Sequence, residues 1–142
     1  MQIWLKEKIG DLFTGRREEL AHFLNWTDGI KREVSQNTAI LSRRKTGKTV
    51  LLQRLFNMIF EKNDRVVPFY FEIRQTDRWI GHFARDFFLA FVYQYVAFKT
   101  RKREYLFSGR ERSLEEASEI SEKEGLDYLT KMIRFMHKAY QE

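Results

Sequence analysis

Eight consecutive residues, Ser42-Arg43-Arg44-Lys45-Thr46-Gly47-Lys48-Thr49, bring together the groups that hold a polyphosphate. The reference pattern is Gly, four residues, then Gly-Lys-Ser/Thr, and every fixed position but the first is met. In such a stretch the backbone N–H groups curl around phosphate oxygens, and Gly47 lets the backbone approach closely. Lys48 is placed to reach the β- and γ-phosphates, and the Thr49 hydroxyl to ligate Mg²⁺. Ser42 departs from the pattern. If its position demands a positive φ, the strain is about 1 kcal/mol, the left-handed penalty for an L-residue. The competing reading is a chance Gly-Lys-Thr in a basic turn.

A phosphate cradle needs a strand to enter it and a helix to leave it. Thr38-Ala39-Ile40-Leu41 is a short apolar run with branched residues, which predicts a buried strand. Val50, Leu51, Leu52, Leu55, Phe56, Met58 and Ile59 form a broad helical face that stops at Glu61-Lys62-Asn63-Asp64. Val66 to Ile73 reads as a second strand, at an edge or broken at Pro68, which cannot donate to a ladder. A strand, helix and strand in this order imply parallel strands and a right-handed crossover.

Around that unit the pattern predicts helices. One starts near Gly15, with Glu18 and Glu19 in its first turn and Leu20, Phe23 and Leu24 at helical spacing; Asp28-Gly29 signals a turn after it. Another is capped by Thr76 or Asp77 and runs to about Lys102. Ser113-Leu114-Glu115-Glu116 fits a capping box. The last helix carries Leu126, Leu129, Ile133, Met136 and Tyr140 on one face. The expected fold class is α/β: an incomplete three-layer αβα domain with two parallel strands and a helical C-terminal half. Residues 1–142 make one partial domain, with its strand–loop–helix–strand core at 12–75 and its helical part at 76–142.

Composition sets outer bounds. The 142 residues suffice for one domain, and a 43% hydrophobic content excludes intrinsic disorder. With no Cys there is no disulfide, thiol nucleophile or zinc–thiolate site, which suits a reducing cytosol. A net charge of +6 permits an anionic partner without choosing one. The longest apolar run, Phe87 to Phe98, is twelve residues, short of the roughly 20 that span a bilayer. The N-terminus has no signal-peptide h-region. The expectation is a cytoplasmic protein with no membrane contact.

Phe13-Thr14-Gly15-Arg16-Arg17-Glu18-Glu19-Leu20, followed by a strand and the phosphate loop, resembles the N-terminal part of AAA-like P-loop ATPases of the STAND type. The resemblance covers about residues 12 to 75. It implies ATP as the nucleotide, with Mg²⁺, held by Ser42, Arg43, Arg44, Lys45, Thr46, Gly47, Lys48, Thr49 and Val50. It places Gly15 and Arg16 near the adenine; an ordinary solvated charge at a helix start is the alternative for Arg16. It further implies the sheet order 5-1-4-3-2, which sets the first two strands roughly 14 Å apart at about 4.8 Å per strand. Unpaired edges would then call for a protein partner or a missing C-terminal segment.

Hydrolysis needs a Walker B carboxylate for Mg²⁺ and a group to orient water. Only Val66 to Phe71, ending at Glu72, fits at all, and Glu72 reads instead as the end of the second strand. Turnover by this chain alone is therefore doubtful, and no catalytic residue is assigned. A truncated ATPase or N-terminal fragment is one reading of the shortfall, and a remnant that binds nothing is another. A further reading is a nucleic-acid module using Lys31, Arg32, Arg43, Arg44, Lys45, Lys48 and the cluster Lys99, Arg101, Lys102 and Arg103. His22, His82 and His137 show no metal-ligand spacing.

Overall fold

The computed structural model describes residues 15–34, 36–41, 43, 47–73, 80–107 and 112–141. They form five α-helices: α1 (Arg17–Lys31), α2 (Lys48–Lys62), α3 (Ile80–Thr100), α4 (Leu114–Lys123) and α5 (Asp127–Gln141). A 3-10 helix, Arg103–Phe107, lies between α3 and α4. The chain divides into two compact units, 2–70 and 71–142.

No strand or sheet occurs among the described residues, so the α/β expectation, and with it the three-layer P-loop NTPase architecture, is overturned. A strand is a paired state whose N–H and C=O groups need a ladder partner. Neither apolar run forms a ladder among the described residues. Thr38 to Leu41 lies at the surface, with Leu41 93% exposed where a buried strand was expected. Only Ile40 of that run packs inward, against the core shared by α1 and α2, and Val66 of the second run packs against the same core. Farther along, Phe71 turns its ring edge to Phe83 and Phe87 of α3, with centroids 5.5 and 5.2 Å away. Each run is thus spent on helix faces instead of a sheet. A partner or extra segment completing sheet edges loses its basis.

In the first unit the core is Phe23, Leu51, Leu55 and Ile59, flanked by Leu20 and Leu24. α1 runs through the expected turn at Asp28-Gly29. Asp28 is tied three residues on to Lys31, and Gly29 is buried. The chain turns at Arg32–Val34 instead, where Glu33 takes a left-handed φ of 58° and Val34 N–H donates to Gly29 O. α2 stops where its apolar face stops. Asn63 adopts φ 47°, and its N–H reaches back to Ile59 O and Phe60 O, a left-handed C-terminal cap.

The second unit is a helical assembly around Leu89, Val92, Tyr93 and Val96 of α3, Leu114 and Ala117 of α4, and Leu129 and Ile133 of α5. The run 87–98 is mostly buried, as a core helix requires, though Phe87 remains 42% exposed. Ser113 and Glu116 close the capping box reciprocally at 3.1 and 3.3 Å. Between α4 and α5, Gly125 adopts φ 72°, and Leu126 N–H donates to Ser121 O at 2.9 Å. That left-handed position is why a glycine stands there. Inside the corner, the buried Ser121 and Thr130 hydroxyls satisfy each other at 2.7 Å. The helix-cap residues Thr76 and Asp77 lie outside the described residues.

Candidate functional site

The site begins at Gly47. It caps α2 with φ 77°, a conformation that L side chains adopt only with strain, although a Cβ there would meet nothing within 4 Å. The glycine is therefore used for its backbone. The first four N–H groups of a helix have no partner within it, and Gly47 at the cap position has no side chain to offer them. The first turn of α2 also contains no acidic residue. Lys48 and Thr49 occupy the first two helical positions, half-buried and exposed respectively, and Val50 follows, half-buried. Backbone amides, the positive end of the helix dipole and an ammonium group together favour an anion.

Of the other residues expected in the loop, Arg43 is exposed, and Ser42, Arg44, Lys45 and Thr46 lie outside the described residues. Gly15 and Arg16 form the head of α1, both with positive φ, 90° and 53°. Gly15 is exposed and Arg16 half-buried, and Arg16 O accepts from Leu20 N–H to start the helix.

How the two helix starts are related follows from the opposite ends. Lys31, near the end of α1, bonds to Asp28 at 2.8 Å and to Asp64, just past the end of α2. Lys62 of α2 reaches Asp28 at 3.3 Å. With their C-terminal turns clamped and their apolar faces packed, α1 and α2 run in the same direction. Both N-termini therefore lie at the end of the pair away from the clamp, which brings Gly15 and Arg16 to the same end as Gly47, Lys48 and Thr49. Past α1, Gln36 is held by Trp26, whose indole N–H donates to Gln36 O at 2.8 Å.

The clamp was not foreseen from sequence, where Lys31 counted as a phosphate contact and Asp28 as a turn residue. The three-residue spacing of Asp28 and Lys31 was its available signal. Hydrogen bonds from Lys31 and then Lys62 hold the Asp28 carboxyl below its usual range, and Lys31 does the same for Asp64. Lys31 is itself pushed up by the two carboxylates.

The second basic cluster is also partly committed. Lys102 bonds both oxygens of Glu124 at 2.6 and 2.8 Å, and Tyr105 O–H donates to the same carboxylate at 2.6 Å. Glu124 is held below its usual range chiefly by Lys102, and the Tyr105 phenol is pushed up to about 12 chiefly by its bond to Glu124. Lys99 sits 5.5 Å from the Tyr95 ring centroid as a cation–π contact. These lysines brace the second unit.

Glu72, the sequence's nearest candidate for a metal carboxylate, is half-buried on an irregular segment and not at a strand end. Among the described residues no three His, Asp or Glu side chains gather as a metal site. No described helix is long and apolar enough to cross a membrane. Comparison with protein-family models, curated proteins and solved structures finds no match to this chain.

Proposed function

We propose that the chain binds a nucleoside triphosphate, its phosphates seated on the backbone amides at the start of α2. Lys48 neutralises the terminal phosphates, and the Thr49 hydroxyl contributes to a bound Mg²⁺. The observation that carries this reading is Gly47 in a left-handed conformation at the cap of a helix whose first turn holds no acidic residue. The sequence supplies the rest, with Gly-Lys-Thr at that head and Arg43, Arg44 and Lys45 in the approach. ATP is preferred to GTP on the strength of the family resemblance, which also assigns Gly15 and Arg16 to the base side. With no sheet among the described residues, the loop sequence and the start of α2 alone support the nucleotide. No turnover is proposed.

Binding of a fluorescent ATP analogue with and without Mg²⁺ tests it, using the intact chain and Lys48→Ala. The expected result is Mg²⁺-enhanced binding that weakens at least about tenfold in the variant, the loss of one charge-assisted phosphate contact. Equal binding by both proteins, or none by either, overturns it.

A further inference from the structure

The solvent side of α5 carries a stripe that the triphosphate reading does not use. Tyr128 and Phe135 are 85% and 73% exposed, seven residues apart. Lys131 and Lys138, also exposed, alternate with them. Steps of three, four and three residues put all four side chains on one helix face. At 1.5 Å per residue, the two rings stand about 10 Å apart along the axis, and so do the two ammonium groups. Neighbouring side chains on α5 are engaged: Arg134 pairs with Glu122 at 2.7 Å, and His137 lies 2.8 Å from Glu115. Lys131 and Lys138 have no ion pair or hydrogen bond among the described residues.

Beside Tyr128 the stripe opens into an apolar groove of about 440 Å³, lined also by Phe91, Tyr95 and Met132. The Phe91 and Tyr95 rings lie stacked 5.8 Å apart, a flat aromatic wall. Asp127 contributes a carboxylate at this end of the stripe, which keeps a phosphate chain on the lysine side.

We propose that this face of α5, with the adjoining groove, binds single-stranded nucleic acid. Bases stack on Tyr128 and Phe135, and phosphates run along Lys131 and Lys138. Unpaired bases offer the π-faces that exposed rings accept, whereas a duplex hides them within its own stack. The rings are far enough apart to take separate bases. An anionic bilayer fits less well, because the apolar face of α5, Leu129 and Ile133, is already buried in the core and leaves only two rings to insert. The stripe shares no residue with the triphosphate site, so either proposal can fail alone.

Fluorescence anisotropy of labelled oligo-dT and oligo-U, about 12 nucleotides long to span one such site, tests it on the full chain. The native chain should bind one or both with an affinity that falls steeply with salt. Tyr128→Ala with Phe135→Ala should weaken binding by about tenfold per ring, and Tyr128→Trp should retain it. Lys131→Gln with Lys138→Gln should flatten the salt dependence, and Lys48→Ala should change nothing. If circular dichroism shows lost helix in the alanine variant, Tyr128→Trp and the lysine pair decide the matter. No binding at low salt, indifference to the ring and lysine changes, equal affinity for duplex, or a ring-dependent preference for phosphatidylserine vesicles over oligonucleotides would each overturn the proposal.

Discussion

Lys31 shows how one side chain can be assigned to the wrong chemistry when charge is read without contacts. As a member of a basic stretch it belongs with phosphate-binding cations, yet its side chain is only 18% exposed and lies between Asp28 and Asp64. Both carboxyls are held down by it, so their contribution to stability is present above the ordinary Asp value of about 3.9 and is lost as pH falls through the lowered folded values. Lys31 is raised, so its contribution is full below its ordinary value of about 10.4 and is lost only as pH climbs through the raised folded value. The clamp should therefore hold across the neutral range and fail in acid. Asp64→Asn should lower the thermal midpoint at pH 7 and leave a smaller loss between pH 5 and pH 2 than the native chain shows. Thermal melts followed by circular dichroism across that range check both expectations. The clamp is partly exposed, so 1 M salt should reduce the difference between native and variant.

At the scale of elements, the helices that carried complete local signals form where those signals put them. α4 has its capping box, and α2 ends at the polar run that follows its apolar face. Ser113→Ala should destabilise the second unit by about 1 kcal/mol, the usual worth of such a cap, and urea unfolding measures it. Ser113→Thr should recover most of the loss. The strands failed for a reason the same scale explains. Ile40 and Val66 had the right apolarity for buried segments, but apolarity is satisfied equally by a helix face, and both side chains rest on the α1–α2 core. What a sheet needs in addition is a neighbouring strand in register, and no local pattern in one run supplies another.

At the scale of the whole molecule, the chain divides into two units, and each has a core of its own. Among the described residues the second core is built from α3, α4 and α5, with Tyr105 of the 3-10 helix packed against it and Ile133 wholly buried within it. A chain of residues 80–142 should accordingly retain helical circular dichroism and a cooperative melt. Ile133→Ala in that chain should cost about 2–5 kcal/mol, as large-to-small core changes do. A non-cooperative melt of the native segment would show that its core depends on the remainder of the chain.

The sequence by itself determined the helices with periodic faces and caps, the glycine-headed Gly-Lys-Thr at the start of α2, and the positive charge that surrounds it. These are local properties: a helix bonds within itself, and a left-handed glycine needs no distant residue to be favourable. Only the tertiary structure decided that the two apolar runs join helix cores and form no ladder. It also committed Lys31 and Lys102 to carboxylates 33 and 22 residues away. And it left Lys131 and Lys138 beside exposed rings. The helix cores and the two carboxylate pairs depend on which side chain arrives from elsewhere in the chain, and the exposure of the stripe on which face of α5 the core leaves uncovered; short-range periodicity settles neither.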